Sequence, residues 1–391
     1  MGKLESFSQV LGYPVSCCEW LDDGRVIVGG GGGCSKSGVK NSLILYQVSW
    51  EKTSLVELGR AALTAGEDSP TSMSISRQLN TIACGINGTP ESIKKGTNQS
   101  LRLFQIDNNE ITLKESRRII QGTNANDYQR VTRFDSEGKV LLVAAAEGQV
   151  SALNYPDLKP CFGSKKCENE DIHGGDISTD SKILATASDK AVHFFDSCTG
   201  ELMHTINQPR GLGKRLCYFR SVLFGRQQND EHVYAAINAV DRKNGYLAKF
   251  NLEDFSLVFT RSVAPSAILC FNTSESGHLL AVGCSDLSIR ICCPRTLRVL
   301  ARLPSAHSFP VTHLAFSPDG KFLLSGSADG TCRVIKIPEK FDDLRWVAIL
   351  ILVLFFLLVG VAVYLSNQAK LPLETLLPPT SSDAAPVEDE L

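Results

Sequence analysis

The sequence predicts an all-β fold, a seven-bladed β-propeller, followed by a single C-terminal transmembrane helix. Three observations predict it. Strand–turn–strand units recur seven times within residues 1–345, separated by turns rich in Asp, Gly, Ser and Pro. That stretch has regular strand spacing and no helical periodicity, which argues against an α/β enzyme. Residues 346–365 then read WVAILILVLFFLLVGVAVYL, twenty residues without a charge, enough to cross a hydrocarbon core as a helix.

The units follow in order. Val15–Val48 and Ser69–Ile106 are weaker copies; the second carries an insertion over Gly85–Ser100. Val131–Asn154 has turns at Asp135–Gly138 and Ala146–Gly148, and His173–Asp196 at Thr179–Ser181 and Ser188–Lys190. Leu216–Leu252 is again weaker, and Ser266–Ile291 turns at Asn272–Gly277 and Ser285-Asp286. Ala306–Ile337 is the clearest, with a Pro-Asp-Gly turn at 318–320 and an Ala-Asp-Gly turn at 328–330. It resembles a WD repeat, although it ends in Ile335-Lys336 rather than Trp-Asp. Seven such blades close a ring that leaves only short, protected sheet edges. His307, Ser325 and Asp329 have the composition of a catalytic triad, but no oxyanion site accompanies them, and they are expected to brace the blade.

Composition narrows the function. The chain has 391 residues and a net charge of -2, which excludes a protein built mainly to hold a nucleic-acid backbone. Thirteen cysteines are scattered between Cys17 and Cys332 without a CxxC pair. They are expected to be free thiols in a reducing compartment rather than zinc ligands.

The apolar span divides the chain into a body at 1–345, the helix at 346–365 and a tail at 366–391 with one Lys and five acids. Trp346 and Tyr364 sit at its ends, Lys336, Lys340 and Arg345 precede it, and only Lys370 follows. The positive-inside rule therefore places the body in the cytosol and the tail in the lumen. The final Glu388-Asp389-Glu390-Leu391 is a near match to lumenal retrieval signals. Sequons at Asn87, Asn98 and Asn272 are expected to stay unmodified on the cytosolic side, and Met1–Ser6 fits the loose myristoylation pattern.

One connection breaks the repeat. Between the strands Arg25–Val28 and Ser42–Tyr46 lies Gly29–Asn41, thirteen residues with six glycines, where a hairpin needs about two to five. It is not a phosphate loop: Ser35 precedes Lys36-Ser37 where glycine is required, and a strand follows instead of a helix. Such a loop permits close backbone approach to a partner and can offer carbonyl oxygens to a hard cation.

Gly12-Tyr13-Pro14, the GGGGG-CSKSGVKN loop, Glu67-Asp68-Ser69-Pro70-Thr71, Ala306-His307-Ser308 and the C-terminal anchor together resemble one family. It is the endoplasmic-reticulum guanine-nucleotide exchange factor for the Sar-type small GTPase, which includes prolactin regulatory element-binding protein. The resemblance covers essentially residues 1–365 and implies activation of a Sar-type GTPase that starts COPII coat assembly for ER-to-Golgi transport. It implies an exchange loop at Gly29–Asn41 in which Asn41, Val39 and Lys40 contact the GTPase. It also implies a potassium ion held by backbone carbonyls of Gly29, Gly30, Gly31, Gly32, Gly33 and Gly38. The expected partners are the GTPase, the endoplasmic reticulum membrane and COPII coat components, with no nucleic acid. Exchange needs no covalent chemistry, so no enzyme in the strict sense is implied. The alternatives are a non-catalytic, membrane-anchored scaffold for cargo or coat proteins, and a transcriptional regulator, which the near-neutral body and the apolar span disfavour.

Overall fold

The computed structural model describes residues 4–35, 38–167, 170–207, 216–341 and 345–368. In it the repeats form seven antiparallel sheets. Blade 1 runs Val15–Trp20, Arg25–Gly30, Ser42–Ser49 and Ser54–Ala62 from the axis outward. Blades 2 to 6 repeat that order over 72–117, 129–166, 172–207, 217–264 and 268–303. The first strands of adjacent blades touch one another in sequence, and the ring closes from Val311–Phe316 back onto Val15–Trp20. Blade 7 has only three strands of its own, and Ser6–Val10 supplies the fourth by pairing with Thr331–Lys336.

All seven sequence units coincide with the first three strands of a blade, which confirms the propeller. The fourth strands were not foreseen, for a physical reason. A middle strand such as Ile183–Ser188 is buried on both faces because neighbouring blades cover it, so it reads as an apolar run. An outer strand such as Ser54–Ala62 has six exposed or half-exposed residues in succession after Val56 and reads as loop. The insertion over Gly85–Ser100 adds one helical turn, Pro90–Lys94, capped by the Thr89 hydroxyl, which accepts from the Ser92 N–H.

The core is distributed. Seven apolar clusters each draw on two adjacent blades, as where Trp20 and Val28 of blade 1 meet Leu324 and Val334 of blade 7. None of the thirteen cysteines is in a disulfide, and Cys17, Cys18, Cys84, Cys217, Cys284, Cys292 and Cys332 are buried among these clusters. All three sequon asparagines bond inside the fold, Asn272 Nδ2 donating to Leu314 O at 2.6 Å. The Asn98 amide donates to Asn87 Oδ1 at 2.9 Å and accepts from the Gly88 N–H at 2.8 Å, with both asparagines buried.

His307, Ser325 and Asp329 brace the last blade as expected. His307 Nε2 meets the Ser325 hydroxyl at 2.8 Å, and its Nδ1 meets the Thr331 hydroxyl at 2.9 Å. Asp329 accepts from the N–H groups of Ser308 at 2.8 Å and Thr331 at 2.9 Å. Burial alone would raise the Asp329 pKa, but the Thr331 hydroxyl, the Ser308 N–H and His307 outweigh it and hold it at about 2 instead of 3.8. A depressed carboxylate stabilises the fold above its unfolded pKa and loses that contribution as pH falls toward the folded value. Asp329→Asn should therefore lower stability by about 2 kcal/mol at neutral pH. In urea titrations the gap from wild type should shrink between pH about 4 and about 2.

The C-terminal helix spans Arg345–Gln368 and forms a unit separate from the propeller, Gly2–Phe341. Its described side chains, residues 350–365, are all exposed. Among the described residues no helix is long and apolar enough to cross a membrane, so the expected span is not established by the fold. Met1–Lys3, the tail after Gln368 and the terminal Glu-Asp-Glu-Leu lie outside the described residues, and with them the myristoylation and retrieval readings.

Candidate functional site

The glycine-rich connection is shorter than the sequence implied. Gly29 and Gly30 continue the second strand of blade 1, opposite Leu43 and Ser42 on one side and Cys17 and Val15 on the other. They are glycine because the strand is tightly enclosed: a Cβ on Gly30 would lie 2.1 Å from the Pro14 carbonyl, and one on Gly29 would lie 2.8 Å from Cys17 Sγ. The connection proper is 31–41, of which Lys36 and Ser37 lie outside the described residues.

Asn41 organises this loop. Its Oδ1 accepts from the Gly33 N–H at 2.9 Å, and its Nδ2 donates to the carbonyls of Gly33 at 2.9 Å and Glu67 at 2.8 Å. The side-chain amide thus uses its acceptor and both N–H groups inside the protein, and the residue is 8% exposed. Gly31 donates to Pro14 O at 3.0 Å and Gly32 to Val39 O at 3.3 Å, which ties the two arms together. Gly31 must lack a side chain, since a Cβ there would meet Asn41 Oδ1 at 2.1 Å.

The bracing continues into blade 2 through residues that the sequence reading did not connect with the loop. Glu67, whose carbonyl holds Asn41, accepts from Arg102 Nη2 at 2.7 Å through its carboxylate and also from the Thr64 N–H at 3.2 Å. Both side chains of the ion pair are about one-tenth exposed. Arg102 Nε donates to Gln99 O at 2.7 Å, so the guanidinium is fixed from two sides. The next residues bind the same corner: Ser69 N–H donates to Asp68 Oδ1 at 2.8 Å, and the Ser16 hydroxyl to Ser69 Oγ at 3.4 Å. The signal for Arg102 was a charge inside the apolar run Leu-Arg-Leu-Phe.

The loop therefore has a fixed underside and an exposed rim. Cys34, Ser35, Gly38 and Lys40 are exposed, while Val39 is half-buried and packs against the cluster between blades 7 and 1. Of the three expected contact residues, Lys40 is presented to solvent, Val39 partly so, and Asn41 is turned inward. Asp68 Oδ1 borders the loop and would lie 3.0 Å from a Cβ on Gly33, while Gly32 O accepts from the Ser35 hydroxyl at 2.5 Å. Among the described residues no group of three His, Cys, Asp or Glu gathers as a metal site. The arrangement is suited to recognition of a partner by a shaped backbone.

A family model described as WD domain, G-beta repeat matches residues 297–336, the outer strand of blade 6 and most of blade 7. The WD40 β-propeller domain of Doa1 superposes with a TM-score of 0.63 at 11% identity, covering 86% of this chain and 96% of that one. A chain of the mitotic checkpoint complex superposes at 0.65 and 13% identity, covering 85% and 94%. These likenesses concern the fold, and they define a WD-repeat propeller.

The curated relatives narrow the class. Guanine nucleotide-exchange factor SEC12 of Candida glabrata is 24% identical over 381 residues, covering 92% of this chain and 80% of that protein. SEC12-like protein 2 of Arabidopsis thaliana is 23% identical over 313 residues, covering 80% and 76%. SEC12 of Rattus norvegicus is 23% identical over 376 residues, covering 84% and 90%. The chain is similar over most of its length to SEC12-type guanine nucleotide-exchange factors, the family its glycine loop resembles.

Proposed function

We propose that this protein is a guanine-nucleotide exchange factor that activates a Sar-type small GTPase at the endoplasmic reticulum membrane and so starts COPII coat assembly. The observation that carries the reading is the loop at 31–41, pinned beneath by Asn41 and open along Gly38–Lys40, in a chain that aligns with exchange factors over its whole propeller.

The mechanism is linkage. A factor that binds the nucleotide-free GTPase more tightly than the GDP form must weaken nucleotide binding by the same factor. The loop enters beside the nucleotide pocket and displaces the segments that hold Mg²⁺ and phosphate. Val39 and Lys40 make the contact, and Asn41 holds the loop in the shape that makes it. Because no bond of the substrate is broken, no general acid or base is required. A loop held rigid before docking loses less conformational entropy on binding than a floppy glycine linker.

We propose that the loop holds a potassium ion, with Gly32 O and Gly33 O also accepting from the Ser35 hydroxyl and Asn41 Nδ2. Carbonyls of Gly31, Gly32, Gly33 and Gly38 are the candidate ligands, whereas Gly29 and Gly30 belong to the strand ladder. When bound, the ion offsets the mutual repulsion of these carbonyl dipoles and stiffens the loop.

The helix Arg345–Gln368 serves as the membrane anchor. The support is that its segment Trp346–Leu365 is uncharged and the side chains of 350–365 are exposed and mostly apolar. The anchor keeps activation beside the membrane into which the GTP-bound GTPase inserts its amphipathic helix, raising the local encounter rate.

The test is release of a fluorescent GDP analogue from a purified Sar-type GTPase, with the full-length protein in detergent micelles and either potassium or sodium as the cation. Wild type should accelerate release, Lys40→Ala should reduce the acceleration by roughly threefold to tenfold, and sodium should lower it. Absence of acceleration in both buffers from folded protein leaves a non-catalytic propeller scaffold.

A further inference from the structure

The axial channel opens on the face that carries the glycine loop into a cavity of about 330 Å³, within the size range of small-molecule sites. The loop and this opening share a face because both lie where the first strands begin, at Ser16, Ser72 and Arg130. Most charges around the channel are paired. Glu19 faces Arg133 at 3.6 Å and His313 at 3.5 Å, and Asp176 holds Arg226 at 2.8 Å. Two arginines of the cavity wall, Arg130 and Arg220, have no carboxylate within 4.0 Å among the described residues. Both converge on His173: Arg130 Nη1 lies 2.9 Å from its Nδ1, and Arg220 Nη1 donates to its carbonyl at 3.3 Å. Arg130 also lies over the Tyr128 ring at 5.1 Å, yet its buried Nε has no hydrogen-bond partner.

His173 adds no negative charge. A guanidinium can only donate, so Nδ1 accepts and the ring proton is on Nε2. Burial, then Arg220 and Arg130, hold the His173 pKa at about 4, so the ring is neutral at pH 7. Asp189 and Asp171 push the other way and are outweighed, and burial also lowers the Arg220 pKa. Both arginines are half-buried, and two neighbouring guanidiniums without a carboxylate beside them are costly to hold in a folded protein unless an anion joins them.

We propose that this cavity is an oxyanion site, in which Arg130 and Arg220 together hold a phosphate group. Guanidinium forks match pairs of phosphate oxygens, and partial shielding from solvent in the cavity strengthens each charge-assisted bond. The site is independent of exchange activity.

Thermal unfolding of the full-length protein in detergent tests it, with sodium phosphate or inositol hexakisphosphate titrated against sodium chloride of equal ionic strength. Inorganic phosphate probes the group itself, and the inositol compound probes a phosphate on a larger scaffold. A saturable rise in the midpoint with either, beyond the chloride control, is expected. Its apparent affinity should fall at least roughly tenfold in Arg130→Gln and Arg220→Gln and persist in the exposed control Arg295→Gln. Saturation by phosphate alone assigns free phosphate; saturation only by the inositol compound assigns a phosphorylated metabolite. No saturable rise with either probe, or a rise unchanged in Arg130→Gln, overturns the proposal. Arg130→Gln decides the case if Arg220→Gln fails to fold.

Discussion

Deletion of residues 1–11 is expected to abolish the cooperative thermal unfolding of the propeller. Ser6–Val10 pairs residue by residue with Thr331–Ile335 and completes blade 7. The Arg333 guanidinium donates to the Ser6 hydroxyl at 3.1 Å, and the Lys336 N–H to Glu5 O at 2.9 Å. Leu4 and Phe7 enter the clusters on the two sides of blade 7. Burying each is worth about 2 kcal/mol, and the lost ladder adds to that. A total loss of about 5 kcal/mol or more matches the whole stability of an ordinary domain, about 5–15 kcal/mol. The first strands of blades 7 and 1 also meet, with Thr312 Oγ1 donating to Val15 O at 2.8 Å, but the outer edge of blade 7 is completed by Ser6–Val10, so the damage falls where the first blade meets the last. Calorimetry of the deleted protein should show no sharp transition. A transition within a few degrees of wild type would mean that blade 7 is stable with three strands.

The largest functional effect should come from Gly31→Ala. The added methyl would sit 2.1 Å from Asn41 Oδ1 and 2.5 Å from its Cα, and Gly31 has φ +149, where an L residue is strained. Neither backbone nor amide can yield without breaking the Asn41 bonds to Gly33 and Glu67. Acceleration of GDP release should fall by about 10- to 100-fold, the size of a typical coupling between sites. Asn41→Ala removes the same brace from the other side and should have a similar effect. Gly38→Ala is the comparison: its φ of +80 strains an alanine, but nothing lies within 4 Å of the new carbon. It should cost about 1 kcal/mol of loop stability and much less activity. Equal losses in Gly31→Ala and Gly38→Ala would show that flexibility rather than the Asn41 brace matters.

The difference between those two glycines marks what the sequence makes legible. Six glycines in thirteen residues announce an unusual loop, but composition treats them alike. Only neighbouring chain segments separate Gly30, enclosed by Pro14, from Gly38, which faces open space. Asn41 illustrates the same limit, since it was expected at the surface contact and is instead the loop's internal anchor. Its partner Glu67 is 26 residues away, in the connection that leads into the next blade. Arg102, Arg130 and Arg220 each stand in a strand, where a charge reads as solvent-facing until the neighbouring blade covers it.

The sequence by itself determined the all-β class, the seven repeats, the inner three strands of every blade and the unusual connection in the first. Those features depend on alternation and turn chemistry, which act over a few residues. Tertiary structure alone decided that Ser6–Val10 closes the ring, that Asn41 and Glu67 lock the loop, and that Arg130 and Arg220 meet in the channel. Each of these joins segments on different strands or blades, and their proximity arises only when the first strands line the axis together.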